Sequence, residues 1–182
     1  MKTHAKAVAA TAALLLLPLS AVAHNYTYVE GGFLNRDYGN NDDSGFRIAG
    51  SGSIAKNFAL IGEYSDVGDL DQISAGGLFH TPLNSDIDLN LGATFEHVDA
   101  GPVDDSGYGL RAGLRWELMP RLEMSPEIRY TDVFDSKDTS ARLGGLFAFT
   151  PQLDLQAALQ GGDDDRVEVG LRYNFGPRVT GH

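Results

Sequence analysis

Through most of this chain apolar side chains return at every second position, and that rhythm constrains the fold more than any other feature. In 107–118, Tyr108, Leu110, Ala112, Leu114, Trp116 and Leu118 share one face, against Gly109, Arg111, Gly113, Arg115 and Glu117. Strand side chains alternate with period two, so this segment has one apolar face and one that is small or charged. The same reading holds for 166–175 and 87–96. Ten such segments are predicted, near 25–35, 45–55, 57–66, 71–80, 87–97, 107–118, 122–132, 139–149, 153–161 and 166–175, with eight strands as the alternative. The first is ambiguous in face, because Tyr28 and Glu30 share one. Most segments have the length at which a tilted strand crosses a bilayer. The expected fold class is all-β, a closed antiparallel up-and-down transmembrane β-barrel.

The N-terminus reads differently. Lys2, His4 and Lys6 precede an apolar stretch, Ala7 to Leu19, and Ala21-Val22-Ala23 supplies a small-x-small cleavage pattern. These are the parts of a cleaved secretory signal peptide, which predicts a mature chain from His24. The stretch is too short for a membrane-spanning helix. The predicted organisation is a signal peptide over 1–23, a barrel over 24–175 and a short tail over 176–182. The chain has no cysteine, which excludes a disulfide scaffold and an N-acylated lipoprotein. Removing Lys2 and Lys6 from the 14 basic residues leaves 12 against 25 acidic ones. That balance argues against nucleic acid as a partner.

The connections fall into two groups. Those at 55–57, 119–121 and 150–152 are tight, and 81–86 is somewhat longer. Those at 36–44, 67–70, 98–106, 133–138 and 162–165 are mostly longer and rich in Asp, Asn and Gly. Short periplasmic turns opposite longer extracellular loops are expected of an outer-membrane barrel. With both termini periplasmic, the outer rim collects Phe46, Tyr64, Phe95, Tyr108 and Tyr130. The periplasmic rim collects Phe58, Phe79, Trp116, Phe147, Phe149, Tyr173 and Phe175. Two aromatic girdles around an aliphatic band mark the interfaces of a membrane barrel.

The polar faces carry Arg47, Arg111, Arg115, Arg129, Arg142, Arg166 and Arg172 beside Glu63, Asp88, Glu96, Glu117, Glu123, Glu127, Asp154 and Glu168. Alternation alone fits either a soluble barrel or a membrane barrel with its polar face inward. The export signal and the girdles favour the second. A buried charge is costly unless paired, so the lumen is predicted to be salt-bridged and largely filled.

Glu168, Gly170, Tyr173 and Phe175 form a polar-x-Gly-x-x-aromatic-x-aromatic pattern near the C-terminus. It resembles the signal by which outer-membrane barrels are handed to the barrel-assembly machinery, although GPRVTGH follows Phe175 here. The segments YVEGGF (28–33), NFALIGEYSD (57–66) and VEVGLRYNF (167–175) resemble a family of small proteobacterial outer-membrane barrels called sulfation-dependent quorum factors. More broadly the chain is similar to small barrels of the OmpA/OmpX type. These resemblances imply an outer-membrane location and a barrel fold, and the expected partners of such a barrel are outer-membrane lipid and lipopolysaccharide. They imply no activity and transfer no functional residue.

Aspartates crowd the five outer connections, notably Asp42, Asp43, Asp104, Asp105, Asp163, Asp164 and Asp165. Hard cations prefer carboxylate oxygens, so these are weak candidates for Ca²⁺ or Mg²⁺ shared with lipopolysaccharide phosphates. The competing reading is that Asp favours turns. No cofactor site and no catalytic residue is assigned, since the chain carries none of the common hydrolase, metalloprotease, P-loop or dinucleotide motifs. For a rim lipid hydrolase the histidine would be His97, with Ser106 or Ser65 as nucleophile. His80 falls by a periplasmic turn with no evident partner. The expected function is a non-enzymatic barrel with a structural, adhesive or surface-interaction role through its acidic rim. A narrow passive channel is the alternative and a rim hydrolase the third reading.

Overall fold

A computed structural model describes residues 24–38 and 41–176. The expected signal peptide with Ala21 and Ala23, and residues 177–182 of the tail, lie outside the described residues. Ten strands follow in chain order: β1 (Tyr28–Tyr38), β2 (Asn41–Ala55), β3 (Phe58–Val67), β4 (Leu70–Pro82), β5 (Ile87–Asp99), β6 (Asp104–Met119), β7 (Leu122–Val133), β8 (Ser136–Ala148), β9 (Leu153–Gly162) and β10 (Asp165–Asn174). Each pairs antiparallel with its chain neighbour, and β1 pairs with β10 from Tyr28↔Asn174 to Asp37↔Asp165. The sheet is therefore a closed up-and-down barrel of ten strands, not eight.

At the closing seam two glycines face each other. A Cβ on Gly170 would lie 2.8 Å from the Gly32 Cα, and one on Gly32 would lie 2.5 Å from the Gly170 Cα. Only a residue without a Cβ lets β1 and β10 approach this closely.

Two expectations are corrected. The first strand begins at Tyr28 rather than near 25, because residues 24–26 turn into the lumen, where their side chains are buried. The long connections predicted at 36–44, 98–106 and 133–138 are mostly strand. The described turns at that end are 68–69, 100–103, 134–135 and 163–164, and those at the end bearing the termini are 56–57, 83–86, 120–121 and 149–152. Asp and Asn side chains extend the hairpins rather than loosening them. Asn35 donates to Asp42 and Ser44 across β1–β2, and the Phe134 N–H donates to Asp105.

Polarity is inverted relative to a water-soluble barrel. The outward positions expose Ile48, Leu60, Leu91, Leu110, Ile128, Leu143, Leu159 and Val169, while Glu30, Arg47, Asp88, Glu96, Arg115, Glu123 and Glu168 are buried inside. Fully burying one such aliphatic side chain is worth roughly 1.5–3 kcal/mol, so a full ring of them left in water would oppose folding. Aromatic pairs sit at both ends of this band. Phe46 meets Tyr64, and Tyr108 meets Tyr130, toward one end; Phe58 meets Phe79, and Tyr173 meets Phe175, toward the other.

Candidate functional site

The barrel interior is the site, because alternation sends nearly every arginine into it. At the end bearing the termini, the chain itself enters the lumen. Tyr26 donates its hydroxyl to Asn90 at 2.7 Å and to Asp88 at 3.1 Å, and its ring stacks on His80. Arg115 grips Glu123 in a two-pronged ion pair of 2.6 and 2.8 Å and donates to the Asn25 carbonyl at 2.7 Å. His24 Nδ1 lies 3.3 Å from Glu123. Behind them Tyr26 packs on Ala59 and Leu78, a small apolar cluster inside the lumen.

Around the waist the ion pairs run mostly between neighbouring strands along the inner wall. Arg47 bridges Glu30 at 2.7 Å and Glu63 at 2.8 Å. Arg172 holds the other oxygen of Glu30 at 2.7 Å, its guanidinium 3.7 Å from the Tyr28 ring centroid. This resolves the ambiguous face of β1: Tyr28 and Glu30 both point inward and share Arg172. Arg142 pairs with Glu168 at 2.7 Å and Arg129 with Glu127 at 2.5 Å. Arg111 forms no direct ion pair or side-chain hydrogen bond among the described residues.

Toward the far mouth, Arg36 and Arg166 share Asp164, at 2.7 and 2.6 Å, and both donate to the Gln72 carbonyl oxygen. Gln72, Ser74 and Thr94 all donate to Glu96. Val67, Val98 and Val133 are buried on inward-facing positions at this end, and Leu34 on β1 is 1% exposed. The lumen therefore has apolar lining that a purely salt-bridged interior does not include. Three of its cavities measure about 30, 30 and 80 Å³, space for a few waters each.

The architecture has counterparts among solved outer-membrane barrels. The KdgM porin superposes with a TM-score of 0.54 at 13% identity, covering 82% of this chain and 99% of that one. An outer-membrane channel from Pseudomonas putida F1 gives 0.53 at 8% identity, over 87% and 100%. The NanC porin gives 0.50 at 11% identity, over 82% and 100%. At such identities the likeness is one of fold. No protein-family model matches the chain, and no curated protein does.

The aspartates singled out as cation candidates are spread over separate turns. Asp164 points inward onto Arg36 and Arg166. Asp105 accepts from the Phe134 N–H, Asp163 from the Thr139 N–H, Asp165 from the Gly162 N–H and Asp42 from Asn35. Asp43 and Asp104 are exposed at the same end. No group of three metal-ligating side chains forms among the described residues.

His97 and Ser106 are directly opposed on β5 and β6, with Nδ1 2.9 Å from Oγ. They face outward at the rim. Among the described residues no carboxylate hydrogen-bonds the other ring nitrogen, and the neighbouring backbone is committed to the β5–β6 ladder. Acyl transfer by such a pair would also call for an acid on that nitrogen to orient the ring. Ser65 faces inward, 1% exposed, on the other side of the wall. Of the C-terminal pattern, Glu168 binds Arg142 inside, Gly170 makes the close approach at the seam, and Tyr173 and Phe175 stack edge to face.

Proposed function

We propose that this chain is a bacterial outer-membrane barrel that is closed at rest and serves a structural or surface-interaction role through its acidic rim. The observation that carries this reading is the filled lumen. Ion pairs line it at three levels, Arg129 and Arg166 reach Glu63 from across it at 4.0 and 3.9 Å, and His24 to Tyr26 occupy one mouth. A wide porin leaves an aqueous channel and needs more strands to do so. The apolar outer wall with aromatics at both ends supports a bilayer as the surrounding solvent, and the predicted signal peptide supports export. The end bearing the termini is then periplasmic. The other presents exposed aspartates, including Asp37, Asp42, Asp43, Asp69, Asp99 and Asp104, to lipopolysaccharide, divalent cations or other cells. The pattern of Glu168, Gly170, Tyr173 and Phe175 on and just after β10, the last strand, supports hand-over to the barrel-assembly machinery. No enzymatic role is proposed.

Planar-bilayer recording on refolded protein tests the closed lumen. The reading expects no stable stepwise conductance, and a steady open channel would overturn it. In that event the narrow passive channel, favoured by the likeness of fold to porins and by the water-sized cavities, takes its place.

A further inference from the structure

Part of the outer wall is hollow. Across β6 to β9, Leu114, Pro126, Ile128, Ala141, Leu143 and Leu159 line an apolar groove of about 670 Å³, a size usual for ligand pockets. Ala112, Ile128, Ala141 and Gly161 fall in one cross-strand row there, and three of the four are small. Beside that row Pro126 brings no N–H to the ladder. The β6–β7 pairing lapses there, between Gly113↔Glu127 and Trp116↔Met124.

The groove leads to a cation at the end bearing the termini. Along the outer face of β8, Leu143 is followed by Gly145 and Phe147, and the Arg121 guanidinium lies 4.9 Å from the Phe147 ring centroid. Arg121 holds a left-handed φ of 77°, costly for a residue with a Cβ. Its Nε and Nη2 donate to the Ala148 carbonyl at 2.9 and 2.7 Å. A guanidinium has further donors, and among the described residues no carboxylate pairs with this exposed one. The acids at this end of the four strands, Glu117, Glu123 and Asp154, occupy inward positions. The opposite end of the same strands carries Asp105, Asp132, Asp135 and Asp163, which repel an anionic headgroup. Phe147 and Ala141 are six positions apart, roughly 20 Å along the strand. At a strand tilt of about 40° that is roughly 15 Å of depth, the reach of one leaflet in an apolar band about 25 Å tall.

We propose that this face binds one phospholipid of the periplasmic leaflet, its phosphate on Arg121 and an acyl chain in the groove at Pro126. The inference rests on the reading of the wall as lipid-facing. Lipid tails are as apolar as this wall, so burial from water does not hold the lipid. The ion pair and the filled hollow do. A flexible alkyl chain follows such a hollow, whereas a second rigid barrel would span it and leave it empty.

Native mass spectrometry of the refolded full chain in a non-ionic detergent, titrated with phosphatidylglycerol, tests the site. The wild type should retain one phosphatidylglycerol and should not retain diacylglycerol, which has the chains without the phosphate. Arg121→Gly suits the left-handed backbone, so the barrel should still form, and it should bind phosphatidylglycerol about fivefold more weakly. Arg121→Lys should keep most of the affinity, and Ala141→Phe, which fills the groove, should lose it. Unchanged binding in Arg121→Gly or Ala141→Phe overturns the proposal, as does a preference for lipopolysaccharide or a lipid-free dimer. A heat-modifiable barrel that retains no phosphatidylglycerol overturns the site alone. A chain that is not heat-modifiable overturns the membrane reading beneath it.

Discussion

Tyr26 lies flat against His80, with ring centroids 3.7 Å apart and planes 14° from parallel, inside the mouth that bears both chain ends. The stack is one point of a clamp that spans the lumen. His80 comes from β4, Asp88 and Asn90 from β5, Arg115 from β6 and Glu123 from β7, while Tyr26 precedes β1. Residues far apart in sequence are thereby fastened by the N-terminal segment. Truncating a buried aromatic costs about 3–5 kcal/mol, so Tyr26→Ala should lower unfolding stability in lipid vesicles by about that amount. Tyr26→Phe keeps the stack and loses only the hydroxyl, so its cost should be about 1–3 kcal/mol. Equal losses for the two variants would show that the ring contributes nothing.

Arg115 and Glu123 are both buried and bound by two hydrogen bonds. Removing Arg115 takes the two-pronged counterion from a buried Glu123. Arg115→Met alone should cost about 3–5 kcal/mol, and adding Glu123→Leu should recover most of it. A double-mutant cycle on urea unfolding measures the coupling, and simple additivity would contradict a direct pair.

Phe134 and Asp135 form the β7–β8 turn with φ of 57° and 56°. Two successive left-handed residues are the mark of a type I′ hairpin, which Asn-Gly fills with least strain. The doubly substituted turn, Phe134→Asn with Asp135→Gly, should therefore gain about 1 kcal/mol. Equilibrium unfolding of the variant beside the wild type checks this, and a loss of stability would show that Phe134 is held by packing.

Depth in the bilayer should be readable from the outer wall. Leu91 and Leu110 face outward at mid-height, whereas Leu118 lies near the turn after β6. Leu110→Arg or Leu91→Arg should cost about 2–4 kcal/mol, and Leu118→Arg about 0–1 kcal/mol. Unfolding titrations in vesicles give the three values, and a flat profile would remove the bilayer from the account.

What the sequence made legible is what a single strand carries by itself. The alternation of Leu110 and Arg111, or of Val169 and Glu168, assigns each face without knowledge of its neighbours, and the aromatic ends follow. The interior charges were legible for the same reason, but their pairings were not. Arg36 meets Asp164 across 128 positions, and Tyr26 meets Asn90 across 64. Asp164 read as a rim aspartate because a turn and a lumen mouth use the same residue type. The N-terminal plug was missed because His24-Asn25-Tyr26 continues the strand rhythm, and only the partners waiting in the lumen divert it. Leu34, Val67, Val98 and Val133 broke the polar-inside expectation without any local mark. Ser106 and Ser65 were equal alternatives beside His97 in the sequence, and only the direct β5–β6 register sets Ser106 against it.

The most direct test of the central claim is gel mobility of refolded, detergent-solubilised protein loaded with and without boiling. A closed barrel with lipid outside and ion pairs inside should stay folded in the unboiled lane and migrate apart from the boiled chain. It should also aggregate when detergent is withdrawn. A chain that migrates identically in both lanes, or persists as a monomer without detergent, would contradict the inverted barrel.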